Sequence, residues 1–531
     1  MRKVFLIGLG LVIILSAFVL RPQIELPWML IDDGENLRMG QEISKHFSQG
    51  DYSWIFSYEK VDGRFRPAYW LWHYVNFQFF GFNSVAHHFG HLVLFVVISI
   101  LIYLITQKIS KSNLAGLLSS LLFLAFYPGA ENYYRLGTAE PPLLLLYLIL
   151  TYLLTRIYFL KFTHQSLKIS SIDYLCFFII LGFMYFMKET AVIFILAFLP
   201  IFTIGLIDER VHDKKKWIKF SLIFLAINLF YFILVFGLKN YYGISGGYTE
   251  AYKPKIGEMV TRFFVYLKII FREYHLVLMI PLVAFCYSLA TSLRQKRGLK
   301  KFILNLDTIQ LWQIIFLAWF LLFLLVQSPW LYVMGRYLLP VTIWLAIFLG
   351  IEYARIFFVG FKLFWEKSSG NFSLEIPAIY LLIILVMAFF VFSEGRRINR
   401  MYFSVLNGER QTQRLISFLA QQTPPAGTVY VNFSSGIMEY QYELPLHFNF
   451  FYSRPDIKVP YLILEKQNLF KKGDFVITFK ESVSKYRWET IKESFNNIRQ
   501  VESSDFGPYW KVVKFEDDEQ FSGRTVERLS Q

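Results

Sequence analysis

The sequence predicts a mainly α polytopic membrane protein of about 11 transmembrane helices, carrying a small α/β domain at its C-terminal end. Three observations lead there. Hydrophobic residues fill 55% of 531 positions, 57 of them Phe, and mean hydropathy is +0.42. They are gathered in runs near the roughly 20 residues needed to cross a bilayer. Basic residues fall largely in alternate short loops, so the net charge of +15 reads as membrane orientation and not as a nucleic-acid surface. After Ser393 the pattern changes to short stretches of alternating apolar residues between turn signals.

The apolar runs lie at about 4–20, 86–107, 113–129, 140–160, 172–187, 190–207, 218–238, 275–293, 309–328, 336–354 and 376–393. The first begins after Met-Arg-Lys and ends at Arg21-Pro22 without a small-residue cleavage site, which reads as a retained span. With the N-terminus cytoplasmic, all five inner loops are basic, from Lys108 and Lys111 through Lys214, Lys215 and Lys216 to Arg355, Lys362 and Lys367. The outer segments are then 21–85, 130–139, a turn at 188–189, 239–274, 329–335 and everything beyond Ser393. This gives a membrane domain over 1–394 and an extracytoplasmic domain over 395–531, in a multi-pass protein whose expected setting is a bacterial cytoplasmic membrane. Cys176 and Cys286 both lie in apolar runs, so no disulfide framework is expected outside.

The outer segments carry their own structure. Leu37, Gly40, Ile43 and Phe47 share a helical face, and 64–82 is rich in Trp and Tyr; both suit helices lying at the interface. So does 256–274, where apolar residues recur at helical spacing with Glu258, Arg262, Lys268 and Arg272 off the stripe. In the tail, strands are expected at 428–431, 475–479 and near 510–515, with helices over 408–422 and 484–498.

For chemistry, the outstanding residues are Asp32 and Asp33, an acidic pair opening the first outer loop. Asp33 is also well suited to cap the helix beginning at Gly34. His87, His88 and His91 have spacings that can share a metal, but no acidic or Cys ligand lies beside them, and interfacial packing is the plainer reading. Nucleotide-binding loops, an HExxH helix and a GxSxG turn are absent. Asn371-Phe372-Ser373 and Asn432-Phe433-Ser434 match a glycosylation acceptor by a pattern common by chance.

Four short pieces, in order, carry a family likeness: Ile31-Asp32-Asp33-Gly34, Gly63-Arg64-Phe65-Arg66-Pro67, Lys188-Glu189-Thr190, and Gly335-Arg336-Tyr337-Leu338-Leu339-Pro340. Over residues 1–395 the chain resembles the GT-C superfamily of polytopic glycosyltransferases, which includes protein O-mannosyltransferases, aminoarabinose transferases of lipid A and the oligosaccharyltransferase catalytic subunit. The resemblance implies inverting transfer of a sugar from a polyprenyl-phosphate donor to a glycan, lipid or protein acceptor, with an acid of the first outer loop central to catalysis. It assigns the base role to Asp32, with Asp33 in support. The physical logic agrees: a carboxylate must take or orient the acceptor proton, and the departing phosphate needs positive charge.

Arg336 and Lys188, at outer ends of spans, are candidates for that phosphate, Arg336 the stronger because the outer loops are otherwise not biased toward basic residues. Snorkelling to headgroups explains Lys188 about as well, with Glu189 beside it to neutralise it. Arg135 and Glu140 of the second outer loop could contact donor phosphate, sugar or metal, or face water; Arg64 and Arg66 are weaker candidates for the phosphate. The adjacent acids Asp32 and Asp33 could hold Mg²⁺ or Mn²⁺ with waters, or act without metal. The rival from another class is a transporter or lipid flippase, against which stand charges at span ends and the lack of repeated halves. An O-antigen ligase or polymerase would share the donor but leave the Asp pair and the tail unexplained.

Overall fold

The computed structural model describes all residues except 1, 30–32, 59–63, 160–168, 209–210, 212, 245–254, 295–306, 330–334, 368–374, 433–439, 464–468, 480–486, 496, 502–503, 509 and 521–531. Asp32 and Asn371 therefore lie outside the described residues. The chain forms two compact units: one of residues 1–23, 46–72 and 89–400, the other of 24–45, 73–88 and 401–531.

The first unit is helical, and this is a multi-pass membrane protein. Among the described residues seven helices are long and apolar enough to cross a bilayer: Lys3–Glu25, Ser84–Ser110, Glu140–Ile157, Thr190–Ile207, Lys214–Tyr241, Ile309–Gln327 and Gly335–Phe358. An eighth is a bent pair, Ile256–His275 and Val277–Thr291, turned by 99°. All eleven apolar runs are helical, but Asn113–Ala125 and Ser171–Met187 are shorter helices and the last run lies within the 48-residue helix Glu375–Gln422. Thirteen residues at 1.5 Å each reach only about 20 Å of a roughly 30 Å hydrocarbon core. Among the described residues the count supported by length and composition is thus seven, or eight with the bent pair, and the expected count of about 11 is not confirmed.

The bend separates the expected surface-lying segment at 256–274 from the expected span at 275–293. Pro281 has no N–H to give to the carbonyl of Val277, four residues earlier. The Tyr353 hydroxyl donates to that carbonyl instead, at 2.8 Å, so the bend leaves no buried acceptor there.

Side-chain distribution shows which solvent the helices are built for. On the first helix Val4, Ile7, Leu11, Ile14 and Phe18 form an exposed apolar stripe, while Gly8, Val12, Ser16 and Leu20 are buried on the other side. In water such a stripe would be a liability; in lipid it is the ordinary outer surface. Helix contacts use small residues, because lipid supplies no hydrophobic drive between helices. A Cβ at Gly350 would come within 2.6 Å of the Ser119 backbone nitrogen, so only glycine allows the Asn113–Ala125 and Leu339–Lys367 helices to approach this closely.

In the second unit the tail forms a four-stranded sheet of order β1-β3-β5-β4, made of Val429–Val431, Phe475–Phe479, Trp510–Phe515 and Ile498–Val501. β1 pairs parallel with β3, which pairs antiparallel with β5, and β5 pairs antiparallel with β4. β2 (Leu469–Phe470) and β6 (Glu519–Gln520) form a separate two-stranded ribbon. Alternation divides the core between two faces. Phe475, Ile477, Trp510 and Val512 pack with Leu415, Ile416 and Leu419 of the Glu375–Gln422 helix and with Leu444 and Phe448 of Tyr440–Tyr452. Val476, Val513 and Phe515 pack on the opposite side with Trp488 and Ile491. The strands fall where alternation predicted them. The helix expected over 484–498 is the shorter Trp488–Glu493, and Ile498–Val501 is a strand; residues 484–486 lie outside the described residues.

Candidate active site

In the membrane unit, four of the predicted side chains meet around one phenol. Glu140 opens the Glu140–Ile157 helix, with Pro141 and Pro142 fixing the first turn and the positive end of the helix favouring the acid. Lys188 ends the Ser171–Met187 helix in extended backbone before the 3-10 turn Glu189–Val192, and this reversal turns its side chain back to pair with Glu140. Glu140 is only 4% exposed. Its partner, the Lys188 ammonium, is largely covered, with 12% of the side chain exposed, and removing one member of a buried ion pair costs about 3 to 5 kcal/mol. Arg336, in the 3-10 turn Gly335–Leu338, also acts electrostatically on Glu140. The Tyr337 ring lies 5.2 Å from Lys188 Nζ and 5.3 Å from Arg336 Cζ, and Arg64 is a further charged neighbour of Tyr337. Two cationic side chains from separate segments therefore lie over the Tyr337 ring beside one carboxylate, with Arg64 from a third segment acting on the phenol through its charge. Tyr147, Thr190 and Gln327 line a small pocket with Glu140 and Lys188.

Backbone contacts fix this cluster from behind. The Asn132 side-chain amide donates to the carbonyl of Arg336 at 2.8 Å, and His91 Nε2 donates to the carbonyl of Asn132 at 2.7 Å. The Tyr69 hydroxyl donates to the carbonyl of Gly137 at 2.7 Å, holding the turn that leads into the Glu140–Ile157 helix. The other two predicted cations lie in different company. Arg66 stacks over Tyr69 at 4.5 Å and Trp70 at 5.6 Å, and Arg135 pairs with Glu131 one turn back in its own helix at 2.8 Å. Burial, with the Glu131 charge beside it, pushes Tyr134 up to about 12, so it stays a phenol.

An apolar groove of about 550 Å³ lies in the same unit. One wall is the face of Ser171–Met187 that carries Phe178, Ile179, Phe183 and Phe186; the other includes Phe47, Ile55, Phe56, Pro67 and Leu71. Phe186 stands two residues before Lys188 and Pro67 directly follows Arg66, so the groove is continuous along the chain with the cationic residues.

In the second unit, the helix Asp33–Ser48 begins at the predicted acidic pair. Asp33 is buried, and its Oδ2 accepts the backbone N–H of Met29 at 2.8 Å. Glu443 Oε1 accepts the N–H of Glu35 at 3.4 Å, placing a second carboxylate on the positive end of this helix. Gly34 is needed there, because a Cβ would stand 2.3 Å from Glu443 Oε2 and 3.2 Å from Leu446 Cβ. His447 Nε2 donates to the Met29 carbonyl at 3.2 Å, and Gln413 Nε2 donates to the Trp28 carbonyl at 2.7 Å. Among the described residues no three His, Cys, Asp or Glu side chains gather to hold a metal ion.

The sequence singled out Glu140, Lys188, Arg336 and Arg64, which meet here, but not Tyr337 and Asn132 beside them, nor, in the second unit, Gln413, Glu443 and His447 beside Trp28, Met29 and Glu35. Tyr337 was in plain view inside the Gly335–Pro340 piece. The others act through backbone carbonyls and N–H groups, which leave no mark of residue type.

Comparisons with known proteins bear on this geometry. Residues 67–236 match the family model described as dolichyl-phosphate-mannose-protein mannosyltransferase. That segment holds Asn132, Arg135, Glu140, Lys188 and most of the groove. No curated protein sequence matches the chain. The oligosaccharyltransferase of Archaeoglobus fulgidus, solved with a tethered acceptor peptide, aligns at a TM-score of 0.51 and 9% identity, over 94% of this chain and 73% of that one. The same organism's AglB, in complex with an inhibitory peptide and a dolichol-phosphate, aligns at 0.51 and 10% identity over 90% and 69%. ArnT from Cupriavidus metallidurans, bound to undecaprenyl phosphate, aligns at 0.47 and 13% identity over 95% and 97%. The resemblance to polytopic GT-C glycosyltransferases read from the sequence therefore holds: the fold is shared with an archaeal oligosaccharyltransferase, and the segment carrying the Glu140–Lys188 pair matches a mannosyltransferase family.

Proposed function

We propose that this protein is an inverting glycosyltransferase that moves a sugar from a polyprenyl-phosphate donor to an acceptor at the outer face of a bacterial cytoplasmic membrane. The observation that carries this reading is the match of residues 67–236 to the mannosyltransferase family, because it falls on the segment that holds the Glu140–Lys188 pair and the apolar groove. AglB, which shares the fold, was solved with a dolichol-phosphate, and a lipid of that kind suits the parts present here. A polyprenyl chain would lie in the groove, and Arg336, Lys188 and Arg64 would meet its phosphate. Arg336 supplies two-pronged donors and Lys188 a point charge.

In the transfer, an acceptor hydroxyl attacks the anomeric carbon from the face opposite the phosphate. The bond from that carbon to the phosphate oxygen breaks as the new glycosidic bond forms. Asp32 takes the hydroxyl proton, and the lipid phosphate leaves with its charge held by the cations. Asp33, bonded to Met29, supports the loop. Arg66 and Arg135 belong to the rim of the donor site, and a divalent ion at Asp32 and Asp33 would serve to orient the acceptor. The membrane part over 1–394 carries the donor chemistry, and the tail over 395–531, on the outer side, helps to shape the acceptor side.

The test compares envelope glycans by mass spectrometry in cells with and without the protein, and with Asp32→Asn at equal protein level. Loss of one sugar modification in the deletion is expected, and Asp32→Asn should lower it by about two to four orders of magnitude. Unchanged glycans in the deletion would overturn the reading and favour the transporter. A full signal from Asp32→Asn would remove that residue from the chemistry.

A further inference from the structure

The cationic cluster of the membrane unit contains a carboxylate, and the transfer described above gives it no task. A site that receives a lipid phosphate gains nothing directly from a buried anion, because like charges repel strongly where water is scarce. Glu140 is nonetheless 4% exposed, paired with Lys188 and within the electrostatic reach of Arg336. Three cations, Arg64, Lys188 and Arg336, stand with this one carboxylate near Tyr337, so the positive charge of the site is reduced but not cancelled.

The two members of the pair differ in freedom. Glu140 stands on the first turn of a helix whose next residues are Pro141 and Pro142. Lys188 carries a four-carbon stem on extended backbone between two helical segments, with φ −161° and ψ 140°. Its Nζ lies 5.2 Å from the Tyr337 ring, and Arg336 Cζ lies 5.3 Å from the same ring. An anion that meets Arg336 is therefore close to the Lys188 ammonium, and Tyr337 offers that ammonium an aromatic face as it turns away from Glu140. Thr190 and Gln327 line the small pocket with Glu140, so hydrogen-bond donors are at hand for the carboxylate when the ammonium leaves it.

We infer that Glu140 sets the order of affinities at this site: it competes with the lipid phosphate for Lys188, so that the spent carrier is released and not held. The inference rests on the reading of the cluster as the donor-phosphate site. The donor is a phosphodiester with one negative charge. When the bond from the anomeric carbon to the phosphate oxygen breaks, its electron pair stays with the phosphate, and the product is a monoester whose second ionisation lies at about pH 6. Above that pH the product carries close to two negative charges, and unopposed cations would bind it more tightly than the donor. A carboxylate fixed beside those cations repels the doubly charged product more than the singly charged donor. Glu140 is thus a specificity-determining residue and not a base: it discriminates between two charge states of one lipid.

The experiment measures binding to the full chain in nanodiscs, with two probes: a polyprenyl phosphate and its methyl phosphodiester. At pH 8, Glu140→Gln should bind the monoester about 10-fold more tightly than wild type does, and the diester within about threefold of wild type. At pH 5.5, where the monoester has lost most of its second charge, the two changes should agree within about twofold. The diester has no second ionisation, so a protein group that titrates in this range would move both probes and is told apart. Glu140→Gln leaves the Lys188 ammonium without this carboxylate, which can unfold the protein. The comparison is therefore repeated between Lys188→Gln and the double variant Lys188→Gln/Glu140→Gln, which lack that ammonium. The double variant should bind the monoester about 10-fold more tightly than Lys188→Gln at pH 8, with the diester again within about threefold. Equal changes for both probes at pH 8, or weaker monoester binding once Glu140 is neutral, would overturn the inference while the donor reading stands. If wild type binds neither probe, the donor reading falls and takes the inference with it.

Discussion

The cationic cluster of the membrane unit and the clamp that Gln413, Glu443 and His447 of the second unit place on the backbone of Trp28, Met29 and Glu35 each include one buried carboxylate, yet they are built from opposite materials. The cluster consists of long charged side chains from separate segments, Arg64, Glu140, Lys188 and Arg336, meeting at the Tyr337 ring. The clamp is short-range and engages backbone: an amide, an imidazole and a carboxylate hold two carbonyls and one N–H. Charges on flexible stems can turn toward an incoming phosphate at the cost of rearranging one another. Groups committed to backbone carbonyls and N–H groups are not free to turn and instead fix geometry. Under the proposed function the cluster is the part that would meet the donor, while the second assembly holds backbone at Trp28, Met29 and Glu35.

The strongest way to break that division is to remove Arg336. With Arg336→Ala the departing phosphate loses a charged partner worth about 2 to 4 kcal/mol in a dry site, roughly a 30- to 1,000-fold fall in donor use at limiting donor. Arg336→Lys should recover only part, since an ammonium cannot reproduce the two-pronged geometry. Donor-saturation curves on purified protein in nanodiscs provide the check. Unchanged donor use in Arg336→Ala would return this residue to a headgroup contact.

Acid probes the other side. Burial lowers the His447 pKa from 6.5 to about 4, with its bond to the Met29 carbonyl opposing the shift. Between these two values the unfolded chain holds more protons than the folded one, so stability is complete above about pH 6.5 and is lost as pH falls toward 4. The gap corresponds to about 3 kcal/mol at most. Protonation would also put an N–H on Nδ1 facing the Gln413 amide, two donors in opposition. Melting curves of the whole protein at pH 7.5 and 4.5 should therefore show a larger loss for wild type than for His447→Gln. Equal losses would mean that His447 is not the titrating group.

How far the sequence could be read follows from the same contrast. Apolar runs, alternation in Phe475–Phe479 and the charged ends of spans are written in residue type, and they led to the membrane fold, the sheet and the Arg336–Lys188–Glu140 neighbourhood. The number of spans was less legible, because a run such as 113–129 breaks at Phe126 into two short helices and hydropathy does not record the break. Asn132, Gln413 and His447 were illegible for a different reason. Each holds a backbone group 204 to 418 positions away in the chain, and only folding brings donor and carbonyl together. Lys188 was read with Glu189 as its neutralising neighbour, while the carboxylate that meets it comes from Glu140, 48 positions away.

The smallest expected effect sharpens the edge of the cluster. Arg135 and Glu131 pair within one helix at 2.8 Å, and side chains of this kind, one turn apart and partly exposed, contribute about 0.3 to 0.5 kcal/mol. Arg135→Gln keeps hydrogen-bonding capacity and removes the charge, so the melting temperature should move by under about 2 °C and donor use by under about twofold. Glu131→Gln should match it, because the two would be losing the same local pair. A loss in donor use comparable to Arg336→Ala, without a change in melting, would mean that Arg135 also meets the phosphate. The cationic cluster would then extend across the second outer loop, and the Tyr69 bond to the Gly137 carbonyl would become part of the donor site.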